Sequence, residues 1–165
     1  MSVFRRIRTF ALVALSVLNP LLALAQAGAI EVSRPDGTSV TLSPETLRAL
    51  PRAKFDATAH DKTHQFEGTD LREILRAGGV DMSAESKGPL LRRVITAHAS
   101  DGYVVAFAWA EIDQSIGGKV VCLVDRQDGG ELGQIEGPWR LVVPSESRPT
   151  RWARQVVRLV VSDAK

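Results

Sequence analysis

The sequence has little of what would fix an exported or catalytic chain at a glance. It holds one cysteine, Cys122, in 165 residues. One thiol cannot close an intramolecular disulfide, so a disulfide scaffold is excluded. Cys122 sits in Val120-Val121-Cys122-Leu123-Val124, where apolar neighbours point to a buried strand residue acting as a small hydrophobe. Neither a cation nor a helix start adjoins it, and a reactive thiol needs one of these. Gly-x-Ser-x-Gly, a Walker phosphate loop and Gly-x-Gly-x-x-Gly are all missing. Their absence removes the usual hydrolase, nucleotide and dinucleotide signatures.

A long apolar run is missing too. Phe10 to Leu18 is apolar but is broken by Asn19-Pro20, too short for a membrane span. It follows the basic Arg5, Arg6 and Arg8 and precedes Ala23-Leu24-Ala25. That is the layout of a signal peptide over residues 1–25, cleaved ahead of Gln26, with an uncleaved anchor as the rival reading. No cysteine stands near the cleavage point to make a lipoprotein. Around Arg5-Arg6, Phe4 and Arg8 depart from the twin-arginine pattern, which favours Sec-type export to the periplasm.

Excess charge is likewise lacking. Without residues 1–25 the 21 bases fall to 18, against 19 acids. The basic character belongs to the leader, and nothing suggests the clustered positive charge of a nucleic-acid surface. Residues 26–165 suit one domain with one core.

What is present reads as an α+β domain of many short strands. Ile30 to Ser33 and Ser39 to Leu42 flank Arg34-Pro35-Asp36-Gly37 as a hairpin. Ser43-Pro44 is an N-cap with Pro at the first helical position, and Pro51 ends that short helix after Leu50. Asp70 and Glu73 predict a capping box for a helix with Leu71, Ile74 and Leu75 on one face, ended by Gly78 or Gly79. Leu91 to Ala99 and Tyr103 to Ala108 flank Ser100-Asp101-Gly102 as a second hairpin. One helical turn over Trp109 to Gln114 follows, then strands at Lys119 to Asp125, Trp139 to Val143 and Gln155 to Val161.

The candidate site is Phe55 to Gly68, FDATAHDKTHQFEG, which carries two of the three histidines. His60 and His64 are four apart, a spacing that aims two imidazoles together on a metal-binding helix. Asp56, Thr58, Asp61, Lys62 and Thr63 carry little helix preference, so strand and loop are expected, and a solvated polar loop is the plainer reading. Asp56, Asp61 and His98 would complete a ligand set only where the fold gathers them. His98 alternates with Thr96 and Ser100, opposite Ile95 and Ala97, which places it on a polar strand face. Arg148, Arg151 and Arg154 lie in a Pro-bounded loop. They either clamp a phosphate or carboxylate or pair with nearby acids.

Several pieces recur in a familiar order: Thr41 to Pro51, Phe66-Glu67-Gly68-Thr69-Asp70-Leu71, Ala77-Gly78, Ala99 to Tyr103, the Cys122 strand, Gly137 to Pro144 and Arg151-Trp152. Together they resemble the oxidoreductase molybdopterin-binding domain of the sulfite oxidase family, in its short exported bacterial form. The resemblance implies a mixed, barrel-like sheet with few short helices. It also implies molybdenum held by a dithiolene pterin and one protein cysteine, in an oxidoreductase. That ligand falls near Asp56-Ala57-Thr58 here, where no cysteine stands. Arg154 follows the Arg-Trp pair where relatives carry a basic residue, and the resemblance implies a contact with the cofactor phosphate. The expectation is therefore a non-catalytic periplasmic module without the cofactor, binding a small molecule or a protein partner. The alternatives are a molybdopterin-dependent oxidoreductase with an altered metal ligand, and a metal protein ligated by His60 and His64.

Overall fold

The computed structural model describes residues 27–83 and 87–164. The signal peptide expected over residues 1–25 lies outside the described residues. Two five-stranded sheets carry the chain. The first, sheet A, contains β1 (Ile30–Ser33), β2 (Ser39–Leu42), β5 (Arg93–Ala99), β6 (Val104–Ala108) and β10 (Val156–Asp163). Its order is β2-β1-β10-β5-β6. Strand β1 runs parallel to β10, and the other pairs are antiparallel, so the sheet is mixed. Sheet B contains β3 (Ala53–Ala59), β4 (Lys62–Asp70), β7 (Cys122–Gln127), β8 (Gly130–Glu131) and β9 (Arg140–Val142). It runs β3-β4-β7-β8, with β9 also on β7. Both sheets have open ends, so the barrel-like closure is not seen among the described residues.

Three short helices join the strands: α1 (Pro44–Ala49), α2 (Leu71–Ala77) and α3 (Trp109–Ile112). At α1, Ser43 Oγ accepts the Thr46 amide at 3.1 Å, the expected cap. At α2 the cap differs from the expected box. Asp70 accepts from the Arg72 amide at 2.8 Å and from its guanidinium Nε at 2.9 Å. Glu73 pairs with Arg76 instead. A guanidinium two residues on is a stronger partner for the cap carboxylate than the amide of the third helical residue alone. Gly79, at φ +81, supplies the left-handed exit.

Boundaries move where apolar runs mislead. Gly88–Arg92 is a 3₁₀ turn, so the β5 strand starts at Arg93 rather than Leu91. Strand β7 starts at Cys122 rather than Lys119. Period-2 alternation places Ile95, Ala97, Leu159 and Val161 inward from sheet A, all at most 1% exposed. Phe66, Leu123 and Leu141 from sheet B and Leu71, Ile74 and Leu75 from α2 join the same continuous core. Each such side chain contributes about 1.5–3 kcal/mol by leaving water.

No helix among the described residues is long and apolar enough to cross a membrane.

Candidate functional site

Strands β3 and β4 form one hairpin, and its tip is the dipeptide His60-Asp61 at φ +50 and +62. Two consecutive left-handed residues make a type I′ turn, whose twist suits a two-residue hairpin. Histidine and aspartate tolerate that region better than bulkier residues do. The turn fixes the faces. Phe55, Ala57, His64 and Phe66 share one, while Asp56, Thr58, Thr63 and Gln65 share the other. Asp56 and Thr58 therefore point away from the face that carries His64.

That face is built on aromatics. Phe66 meets Trp152 edge to face, with centroids 5.7 Å apart at 89°. The Arg140 guanidinium lies over both rings, at 5.9 Å and 5.5 Å, and pairs with Glu136. His64 Nδ1 lies 2.7 Å from Asp128 Oδ2. The Gln65 amide donates to Asp128 Oδ1 at 3.0 Å. The His64 bond and then that amide hold the Asp128 carboxyl below the usual carboxylate range. Around this hairpin tip lie three adjoining clefts of about 500, 480 and 610 Å³, and His60 lines all three. Glu136, Arg140 and Trp152 are common to two of them. Together they make an open groove around the tip, with aromatic rings in two of the three clefts, Tyr103 and Trp152 in one and Phe66 and Trp152 in the other.

The three loop arginines separate. Arg148 and Arg154 are exposed and face the groove, Arg148 beside Thr58 and Arg154 beside Tyr103. Neither makes an ion pair among the described residues. Arg151 turns the other way. Its Nε donates to Glu146 Oε1 at 2.8 Å, and its Nη2 donates to Glu111 Oε2 at 3.1 Å. Its Nη1 donates to Ala106 O at 3.0 Å, and the guanidinium lies 4.4 Å from the Phe107 ring centre. Lys119 Nζ reaches Glu111 at 2.9 Å. Burial raises the Glu111 carboxyl, but the Arg151 and Lys119 hydrogen bonds outweigh it and hold it down at about 2. Arg151 is thus a structural tie rather than a groove cation.

The remaining candidates scatter. His98 lies on the polar face of sheet A, 3.0 Å from Thr96 Oγ1, and takes no part in the groove. Burial and then Arg158 lower its pKa. Cys122 is 3% exposed, and burial followed by the Asp70 charge pushes its thiol up to about 12. It is the buried strand hydrophobe expected from its neighbours. Among the described residues, no group of three or more His, Cys, Asp or Glu could hold a metal. His60 and His64 line one cleft with Glu136, but these side chains do not converge into such a group.

Arg140, Glu136, Trp152 and Asp128 were not singled out from sequence as site residues. One signal was available for the face itself, since a hairpin over this stretch sets His64 and Phe66 side by side at period 2. The long-range members had none.

No family model matches the chain, and no curated protein does. Among solved structures it is similar to the sulfane dehydrogenase SoxCD from Paracoccus pantotrophus. The TM-score is 0.65 with 18% identity, over 85% of this chain and 39% of that one. Likeness at that identity shows the fold alone, and it supports the sulfite-oxidase-like fold implied by the sequence resemblance. The chain spans well under half of that protein.

A molybdenum centre of the kind the resemblance implies needs a protein thiolate. At the expected ligand position Asp56 and Thr58 are exposed strand residues and Ala57 is buried. The chain's single thiol is sealed in the core and held protonated. The residues present do not fit that ligation.

Proposed function

We propose that the chain is an exported binding module on a sulfite-oxidase-like scaffold. In this reading it takes a small ligand with an anionic group in the groove around the β3–β4 tip. It holds no molybdenum through a protein thiolate. The observation that carries the reading is the pairing of the cations. Arg151 pairs with Glu111 and Glu146 and Arg140 with Glu136, whereas Arg148 and Arg154 face the groove without ion pairs among the described residues. Two unpaired guanidiniums, Arg154 in a cleft with Tyr103 and Trp152 and Arg148 in the adjoining one, suit a carboxylate, sulfate or phosphate on a partly planar molecule. Export rests on the leader features from Arg5 to Ala25, and the near-neutral charge of the rest supports a small-molecule partner over a nucleic acid.

Amide chemical-shift mapping with inorganic phosphate and with pyridoxal phosphate tests this. Shifts confined to the hairpin tip and the segment from Arg148 to Arg154 are expected. Loss of those shifts in Arg148→Ala/Arg154→Ala, with the fold unchanged, is expected as well. Shifts spread over the whole surface, or unaltered in the double variant, would sink the proposal.

A second reading, a molybdopterin enzyme with an altered ligand, draws on the fold likeness to SoxCD. Fold alone licenses no activity.

A further inference from the structure

Sheet A ends at β2 and β6 and sheet B at β3 and β8, and the edges of β6 and β3 differ. On sheet A the free edge of β6 is filled from within. Arg151 donates to Ala106 O at 3.0 Å, and the Ala108 amide donates to Glu111 Oε1 at 3.0 Å. Side chains that satisfy edge groups in this way keep a strand from templating another chain.

Strand β3, one end of sheet B, has no such cover among the described residues. In a two-residue hairpin the flanking pair, here Ala59 and Lys62, is hydrogen-bonded, and bonded pairs then alternate along the ladder. Ala53, Phe55, Ala57 and Ala59 accordingly spend their backbone groups on β4. Lys54, Asp56 and Thr58 aim theirs outward. Among the described residues nothing bonds to those outward groups. The loop from Ser147 to Thr150 flanks only the tip end, at Thr58 and His60, across the 500 Å³ cleft.

We propose that β3 pairs antiparallel with β3 of a second copy of this chain, with Phe55 opposite Phe55 of the copy. This inference is independent of the ligand proposed for the groove. In that register Lys54 faces Asp56 of the copy and Asp56 faces its Lys54, so outward-aimed backbone groups meet one another. Ala53 faces Ala57 of the copy on the other side of the strand. One side of the pairing then carries two opposite-charge contacts, and the other an Ala-Phe-Ala row. Phe55 falls at a non-hydrogen-bonded pair, where opposed side chains come closest. Shifting the copy by two residues also satisfies the backbone, but one direction sets Asp56 against Asp56 and the other sets Lys54 against Lys54. The charge pattern selects the first register.

Asp56 is free to serve, and Lys54 can share its charge. The Lys54 side chain is 67% exposed and pairs with Glu67 at 3.7 Å, a long, solvated ion pair that leaves its other donors open. Asp56 is exposed and makes no ion pair among the described residues. One strand pair covers far less than a standard interface, so the dimer is weak and concentration-dependent.

Equilibrium sedimentation of the exported chain over a concentration series is the test. A reversible monomer–dimer equilibrium is expected. Asp56→Lys should weaken it about tenfold, because two attractive pairs become repulsive. Adding Lys54→Asp to Asp56→Lys should restore it. Asp56→Pro removes one outward N–H and no bond to β4, and it should abolish the dimer while thermal unfolding of the monomer stays put. Should that variant fail to fold, the charge swap decides. A chain monomeric at every concentration overturns the proposal. So does a dimer indifferent to Asp56→Lys, a swap that does not rescue, or a monomer that instead binds another protein's extended peptide along β3.

Discussion

Arg151→Ala separates structure from function among the loop arginines. The change removes a guanidinium that bonds Glu146, both Glu111 oxygens and Ala106 O and covers the Phe107 ring. It leaves Glu111 and Glu146 close together with Lys119 as their remaining cation. Fully buried pairs lose about 3–5 kcal/mol when one partner is deleted, and exposed pairs about 0.2–1 kcal/mol. Arg151 is 25% exposed and Glu146 16%, which places this network between those limits. The ring contact adds about 0.5–1 kcal/mol. A loss of about 3 kcal/mol follows, roughly 10 °C in Tm for a domain of this size. Arg151→Lys should recover only part of it, because an ammonium cannot span both carboxylates and the carbonyl. Arg154→Ala should stay within about 0.5 kcal/mol of the parent. Urea unfolding followed by tryptophan fluorescence measures all three. An Arg151→Ala chain as stable as the parent, or an Arg154→Ala chain as damaged as Arg151→Ala, would refute the division of roles.

The same network sets an acid limit. Glu111 is held at about 2 in the fold, below its ordinary 4.5, so its contribution is complete above about 4.5 and is lost as pH falls toward 2. After screening at a side chain 30% exposed, that contribution is about 2 kcal/mol. Glu111→Gln should flatten this part of the stability–pH curve, and a curve unchanged by the substitution would count against it. Gly68→Ala would set a Cβ 2.2 Å from Leu123 O and 2.6 Å from Val124 Cα. Backbone cannot yield as a side-chain end does, so unfolding experiments should show a loss of about 2–3 kcal/mol. His60→Ala/His64→Ala should leave zinc retention by the purified chain as it was, since among the described residues the pair belongs to no group of three or more donors able to hold a metal; elemental analysis in which the double variant alone loses zinc would contradict this.

Local order was legible where turn chemistry was explicit. Pro35-Asp36-Gly37 and Ser100-Asp101-Gly102 mark two hairpins, and both form. The helix of Leu71, Ile74 and Leu75 and the burial of Cys122 followed from periodicity and neighbours. The decisive hairpin was harder to see, because a type I′ turn usually advertises itself with glycine and here uses His60-Asp61. Reading that stretch as strand and loop was right in kind, yet it did not show that Asp56 and His64 part company. The register decides that, and a slip of one residue would reverse it. The parallel pairing of β1 with β10 joins the two ends of the domain, a contact that no local pattern encodes. The loop arginines look alike in sequence. A 3₁₀ turn at Pro149–Arg151 separates their directions, and only the fold brings Glu111 to one of them. Arg140 escaped for a related reason: its partners Phe66 and Trp152 come from β4 and from the end of that turn.

The most direct test of the central claim is the molybdenum content of the chain, exported and purified from a host that makes the cofactor. Elemental analysis should be paired with fluorescence of the oxidised pterin. Neither should approach one per chain, because the expected ligand position holds Asp56, Ala57 and Thr58 and the single thiol is buried. One molybdenum and one pterin per chain would contradict the account and restore the oxidoreductase.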